Sequence, residues 1–535
     1  MRVIKVEKTA SRGLVVAKAY KYTVPDLNPE TNIVFEVEHE NEIAKFEQAK
    51  SVVKQELENL SVQNAVFAAH LEIADDFTLQ EGIVSKIKSQ NKNAQMAVYE
   101  TIEEISAMFS GIDDPYMQER AADIKDVGKR FMATLKDVTL PDLGSLDKEV
   151  IVVANDLYPS DTVKIDTKFV KGIITQEGGV TSHVFIIAKS LDIPILVGVG
   201  EILDQLDCDE LVCMDAQLGE IVINPDEGVV DFYKGEIKKF NENKEKLTAL
   251  RSQKITAKDG RKITLCANVG SLKDIENALP MAIDGVGLFR SEFLYMENSH
   301  FPTEEEQFEV YKRAAQLCPE ELTIRTLDIG GDKELSYFEF EKEENPFLGW
   351  RAVRICLEMK DMFKEQLRAI LRASIYGNVR VMIPMLISIE ELEEVKVIFE
   401  QCKKELDEKG IEYNKQIKLG MMIETPSSVL LADEFAKIAD FFSIGTNDLT
   451  QYLLAVDRGN KKVADKYSYF HKAVTSAIKT VIDAGHRHGI KVGMCGEMAG
   501  DTKASEMLLD MGLDEFSMSA SSVDYVREEL IEKTK

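Results

Sequence analysis

The string Gly178-Gly179-Val180-Thr181-Ser182-His183, followed by Val184-Phe185-Ile186-Ile187-Ala188-Lys189, sets a histidine where a tight turn opens an apolar helix. Two glycines permit the turn, and Thr181 and Ser182 can cap the helix start. A helix N-terminus favours negative charge, so a phosphate on that imidazole would sit in a favourable field. The neutral imidazole is well populated at neutral pH and is a fair nucleophile. Taken alone, a histidine beside a Gly-rich turn is more often structural. The whole string favours His183 as a phosphate acceptor.

A second constellation lies far downstream. Glu424 directly follows the apolar run Met421-Met422-Ile423, and Asp448 sits in Gly445-Thr446-Asn447-Asp448, just after Phe441-Phe442-Ser443-Ile444. Two hard carboxylates with open positions beside them suit Mg²⁺, which keeps waters and accepts substrate phosphate oxygens. Read blandly, both are strand-end caps. Three arginines tilt the balance: Arg290 after Gly287-Leu288-Phe289, Arg325 in Ile324-Arg325-Thr326-Leu327-Asp328, and Arg458 in Asp457-Arg458-Gly459. Guanidinium forks match phosphate and carboxylate, and an arginine buried at a strand end must be paired. Together these residues point to a phosphorylated carboxylic acid as substrate. Asp328-Ile329-Gly330-Gly331-Asp332-Lys333 adds a loop with a lysine able to neutralise phosphate. Cys495, in Gly493-Met494-Cys495-Gly496, has flanking glycines expected to leave room for a ligand. A lone cysteine is more often a small buried residue, but this one falls at a polar strand end, where acid–base work is open to it.

These residues need elements to hold them. Short apolar runs recur near 263–267, 286–289, 323–327, 380–384, 419–423, 440–444, 491–494 and 515–518, mostly separated by helical patterns. Eight strands over this span fit a (β/α)8 TIM barrel, which gathers its chemistry at the carboxyl ends of its strands. A doubly wound sheet accounts less easily for so many polar strand ends. Upstream, Val150–Ala154, 172–174, 195–197 and 220–223 read as strands of a compact α/β domain, with a helix around 185–190. Strand material at the N-terminus can join it. The stretch between is rich in Glu, Lys, Gln and Ala, with spacings such as Phe46, Val53, Leu57 and Leu60, and reads as an inserted bundle of amphipathic helices. The expected division is an α/β domain of 1–23 plus 146–230, a helical insertion of 24–145, a linker helix of 231–255 and a barrel of 256–535.

The chain has 535 residues and a net charge of −28, which disfavours nucleic acid and favours a basic protein partner. Solubility alone also explains such acidity. Its seven cysteines are widely spaced with no CxxC, and no 18-residue apolar run occurs, so a cytoplasmic protein without membrane insertion is expected.

Several long strings occur in the right order to identify a family: GGVTSH at 178–183, GVGLFRSEFLYM at 285–296, RTLDIGGDKE at 325–334, ENPFLGWRAVRI at 344–355, FSIGTNDLTQY at 442–452 and GMCGEMAG at 493–500. They resemble the phosphoenolpyruvate-protein phosphotransferases, the Enzyme I family of the bacterial sugar phosphotransferase system, within the phosphoenolpyruvate-utilising enzymes. Along almost the whole chain, the resemblance implies a swivelling phosphohistidine domain with an inserted helical bundle and a barrel. It implies that His183 takes the phosphoryl group on Nε2 and passes it to the phosphocarrier protein HPr, releasing pyruvate, as the first step of sugar uptake. Glu424 and Asp448 would hold Mg²⁺. Arg290, Arg325, Arg458 and Asn447 would bind phosphoenolpyruvate, and Cys495 would protonate the enolate. The string ERAADIKDVGKR at 119–130 resembles the partner-binding region, the hinge is expected near 240–250, and a homodimer through the barrel is implied. The sequence departs from the family pattern at Arg12, Val180 and Val184-Phe185. Relatives that use ATP carry an additional nucleotide-binding domain for which this chain has no room, and an inactive scaffold would have lost the nucleophile, acids or arginines.

Overall fold

The computed structural model describes residues 1–6, 13–31, 34–61, 65–111, 115–178, 193–296, 298–330, 335, 337–460 and 462–535. His183, its expected helix and Lys333 lie outside the described residues. The chain forms two compact units, Met1–Asn243 and Lys244–Lys535.

In the first unit, short β-branched runs build a seven-stranded mixed sheet. Its strands are β1 (Arg2–Lys5), β2 (Leu14–Tyr22), β3 (Val150–Ala154), β4 (Val170–Thr175), β5 (Ile195–Leu196), β6 (Leu211–Asp215) and β7 (Glu220–Ile223), in the order β1-β7-β6-β2-β3-β4-β5. Strand β2 pairs in parallel with β3, so the N-terminal strands belong to the same sheet as residues 150–223. Strand β6 had no counterpart among the strand runs picked from the sequence. Between β2 and β3 the chain makes five helices, His39–Ser61, Ala65–Ala74, Phe77–Gln90, Ala94–Ser110 and Pro115–Leu135. Their apolar faces meet in one core that includes Phe46, Val53, Leu57, Ile83, Val98 and Phe131.

A buried polar cluster ties this bundle to the sheet layer. Lys129 Nζ lies 3.0 Å from Asp161 Oδ2, Tyr22 donates to Asp161 Oδ1 at 2.6 Å, and the Ser160 amide and hydroxyl donate to Asp126 at 3.0 and 2.8 Å. Buried charges persist only when paired in this way.

The helix expected over 231–255 runs Glu227–Leu250, and the division between units falls within it. Residues beyond it turn into a short strand, β8 (Ile255–Thr256), antiparallel to β9.

The second unit is a closed barrel of eight parallel strands: β9 (Lys262–Val269), β10 (Gly285–Arg290), β11 (Glu321–Arg325), β12 (Asn378–Ile383), β13 (Lys418–Ile423), β14 (Phe441–Ile444), β15 (Lys491–Met494) and β16 (Glu515–Met518). Strand β16 pairs with β9 and β9 with β10, which closes the ring. All eight overlap the apolar runs read from the sequence. Among the described residues, no helix is long and apolar enough to cross a membrane.

Side chains fill the barrel in layers. At the strand starts Arg380 lies 2.6 Å from Glu515 and 3.2 Å from Glu321, and Lys491 bridges the same two acids at 2.9 and 3.0 Å. A Cβ on Gly287 or Gly493 would come within 2.9 or 3.2 Å of the Glu515 side chain, so both strands are bare where this carboxylate sits. Above it lies an apolar layer of Leu288, Met382, Met422 and Phe441, and Cys495 tops it.

Burial raises the Glu515 pKa, but Arg380 and Lys491 outweigh it and bring it down to about 2. A carboxylate depressed from 4.5 to about 2 contributes stability above its unfolded value and loses it as pH falls through its folded one, on the order of 3 kcal/mol. Glu515→Gln is therefore expected to destabilise the barrel by roughly 3 kcal/mol at pH 7, by leaving Arg380 and Lys491 to share Glu321, and to flatten the stability loss between about pH 4.5 and 2. Trp350, the single tryptophan, lies in this unit, so denaturant titration followed by its fluorescence across that pH range checks both effects.

Candidate active site

The carboxyl ends of the strands converge on a charged mouth. Strand β11 ends on Arg325, which is buried and donates to Glu292 Oε1 at 2.5 Å while Nη1 meets Asp328 Oδ2 at 2.8 Å. Strand β13 runs straight into Glu424, and Thr425 caps the short helix that follows. Glu424 is buried, and its Oε1 accepts the Met385 amide at 2.7 Å. Met385 supplies that amide from a left-handed backbone, φ 60°, which costs a non-glycine residue about 1 kcal/mol or more and marks a constrained site. Burial first, then the nearby Asp448 and Asp328 carboxylates, raise the pKa of Glu424.

Gly445 follows β14 and opens the helix Thr446–Leu454, putting Asn447 and Asp448 in its first turn. A first-turn carboxylate faces the positive end of the helix dipole. Asp448 Oδ2 lies 3.4 Å from Arg351 Nη2, whereas its buried Oδ1 has no hydrogen-bond partner; Arg458 Nη2 stands 4.0 Å from it. Asn447 faces Glu497, donating to Oε1 at 3.3 Å and accepting the Glu497 amide at 3.0 Å.

Cys495 follows β15. Burial pushes its thiol up to about 11, with a contact to Ser443 and the charge of Arg325 pulling the other way, so it is protonated at neutral pH. The Asn268 side chain holds the Cys495 carbonyl at 2.8 Å, and Ser517 in turn donates to Asn268. The space expected beside Cys495 is not free: a Cβ on Gly496 would fall 1.9 Å from Thr446 Oγ1, so that glycine makes way for the helix start.

Arg290 was expected to be buried and is exposed. It forms the end of β10, in register with Arg325, and its side chain has no hydrogen bond or ion pair among the described residues. Arg458 is also partly exposed, at 38% of its side chain. Of the arginines expected from the sequence, Arg325 is held by two acids, Arg458 makes one long ion pair with Asp448, and Arg290 has no side-chain partner among the described residues. The mouth also holds one missed, Arg351, which is buried with Nη2 at 2.9 Å from Asp328. Searching strand ends could not find it, because it lies well past β11 in a long excursion. Its only signal was the string ENPFLGWRAVRI.

Four buried carboxylates, Glu292, Asp328, Glu424 and Asp448, face two buried guanidiniums, Arg325 and Arg351. With Glu424 raised to about 8 the set is not fully ionised at neutral pH, and a cation bound beside Glu424 would favour its ionised form. The buried Glu424 carboxyl and the Oδ1 of Asp448, which accepts no hydrogen bond, fit a divalent cation. Among the described residues no three His, Cys, Asp or Glu side chains cluster as metal ligands.

In the first unit, Gly178 (φ 98°) is the last described residue before the segment containing His183. A Cβ on Gly198 would sit 2.9 Å from the Gly178 carbonyl, so the loop after β5 packs directly on that entry. The string at 119–130 is partly internal: Asp126, Lys129 and Arg130 are buried, and Arg130 pairs with Glu56. Glu58, Glu72 and Asp75 of the bundle are exposed, Asp75 pairing with Lys54 at 2.7 Å.

Family models match along most of the chain: "PEP-utilising enzyme, N-terminal" over residues 8–120, "PEP-utilising enzyme, mobile domain" over 146–219 and "PEP-utilising enzyme, PEP-binding domain" over 244–534. Phosphoenolpyruvate-protein phosphotransferase of Mycoplasma capricolum subsp. capricolum is 44% identical over 523 residues, 96% of this chain and 91% of that one. That of Geobacillus stearothermophilus is 44% identical over 531 residues, 97% of this chain and 92% of that one. A solution structure of Enzyme I is 35% identical, covering 45% of this chain and 100% of that one, with a TM-score of 0.41.

Proposed function

The chain belongs to the phosphoenolpyruvate-protein phosphotransferase family, and on that premise we propose that it moves the phosphoryl group of phosphoenolpyruvate to His183 and then to HPr, releasing pyruvate, as the first step of sugar uptake. The observation that carries this reading is the mouth, where the carboxyls of Glu424 and Asp448, the guanidiniums of Arg290, Arg325, Arg351 and Arg458, and a protonated thiol are gathered at the strand ends.

Each residue has a task in this reading. Arg325, held by Glu292 and Asp328, is set in advance to receive one anionic group, and exposed Arg290 and half-exposed Arg458 would close on phosphate and carboxylate with Asn447. Glu424 and Asp448 would hold Mg²⁺. Bound there, the ion supplies positive charge for the oxygens that gain charge as the phosphoryl group leaves. His183 Nε2 forms the new bond to phosphorus as the bond from phosphorus to the enol oxygen breaks. The electrons of that bond stay with the enolate, and the Cys495 thiol gives its proton to the methylene carbon, yielding pyruvate. HPr, presenting a positive face, would dock on the helical insertion, where exposed Glu58 and Glu72 favour it within about 8 Å at physiological salt. A cytoplasmic setting is supported by seven free cysteines, and a homodimer through the barrel unit by the family likeness.

The test is substrate choice. Phosphate label from phosphoenolpyruvate is expected on the chain in the presence of Mg²⁺, and pyruvate release is expected to continue only when HPr is added. Label from ATP would instead place the chain with the ATP-using relatives.

A further inference from the structure

Tyr452 stands four residues after Asp448 on the helix Thr446–Leu454, so both side chains lie on one helix face. Its hydroxyl donates to the Phe347 carbonyl at 2.5 Å and accepts from Arg351 Nη1 at 3.2 Å. Arg351 turns its other terminal nitrogen to Asp328 Oδ1 at 2.9 Å and Asp448 Oδ2 at 3.4 Å. The backbone here is strained. Ala352 has φ 55° and ψ −126°, a region that costs a residue with a Cβ about 1–3 kcal/mol. Its amide is fixed to the Ile329 carbonyl at 3.0 Å, and a Cβ on neighbouring Gly330 would meet the Trp350 carbonyl at 2.5 Å. Strain persists only where surrounding contacts over-determine it, and Tyr452 supplies two of those contacts, one to the backbone of this segment and one to its guanidinium. Burial pushes the phenol up to about 12, so it stays a donor.

We propose that Tyr452 is a positioning residue for phosphoryl transfer: by fixing Arg351 on Asp448 Oδ2, it leaves Oδ1 as the oxygen presented to the metal. The inference rests on the reading that Asp448 binds Mg²⁺. Without the hydroxyl, Arg351 keeps its charge but loses its fixed angle, and the carboxylate can rotate its free oxygen away from the mouth. Groups that orient a metal ligand in this way typically change metal affinity by about 10–100-fold.

The test is calorimetric titration of Mg²⁺ into the whole chain. Tyr452→Phe is expected to weaken Mg²⁺ binding by about 10-fold, and Asp448→Ala to abolish it. Arg351→Lys, which keeps the charge and loses the fork, is expected to match Tyr452→Phe. The double variant is expected to be no weaker than Arg351→Lys, because both changes act through one contact. Normal Mg²⁺ binding by Tyr452→Phe alongside its loss in Asp448→Ala would overturn the positioning role and leave the metal assignment standing. Normal binding by Asp448→Ala would overturn both. If Tyr452→Phe folds poorly, Arg351→Lys alone decides, since unchanged affinity there contradicts the proposal.

Discussion

With His183→Ala, phosphorylation by phosphoenolpyruvate and transfer to HPr are both expected to fall on the order of 10⁴-fold or more, because the nucleophile itself is gone. No other histidine can take its place. His39 shares a hydrogen bond with Asn91 and His70 is buried against Asp123. His300 pairs with Glu306, and His471 caps its helix by accepting the Ala473 amide. His486 and His488 face Asp514 and Asp433. Each of these six rings is committed to a neighbour, and none follows a Gly-Gly turn. Measured initial rates near wild type would mean that another group accepts the phosphate.

Glu424→Ala and Asp448→Ala are each expected to reduce use of phosphoenolpyruvate by about 10³-fold, the equivalent of several kcal/mol of charge stabilisation. The reverse reaction, from phosphorylated His183 to pyruvate, should fall as well, since pyruvate would meet the same ion. The two variants differ in what they leave behind. Removing Asp448 frees Arg351 from one of its two acids, whereas removing Glu424 leaves the Met385 amide without its acceptor in a strained turn. Asp448→Ala should therefore be the more stable of the two. Rates at increasing Mg²⁺ test the loss of activity, and denaturant titration of each variant followed by Trp350 fluorescence tests the order of stability. Ordinary rates at ordinary Mg²⁺ would move the metal elsewhere.

Most of the barrel was legible because each strand is a short apolar run followed by a polar residue, and a parallel strand covered on both sides must read that way. Glu424, Asp448 and Cys495 were legible for the same reason. Strand β6 escaped, although Leu211-Val212-Cys213-Met214 is as apolar as its neighbours; its place between β2 and β7 is set by antiparallel pairing with both. The buried charges at the strand starts were not legible. Arg380 and Glu515 look like ordinary polar ends of apolar runs, and only closure of the ring brings them together across 135 residues. Arg351 and Tyr452 were hidden by distance along the chain in the same way. Exposure of Arg290 was hidden for a different reason: composition marks the strand but not where its last side chain leaves the wall.

The claim that a phosphoryl group passes through His183 is tested most directly by locating the phosphate. The whole chain is mixed with phosphate-labelled phosphoenolpyruvate and Mg²⁺, quenched under alkaline conditions that preserve phosphohistidine, and mapped by mass spectrometry before and after addition of HPr. The expected result is one phosphate, on His183, which disappears as HPr gains it. Label on any of the other six histidines, or on His183 but not dischargeable to HPr, would contradict the account.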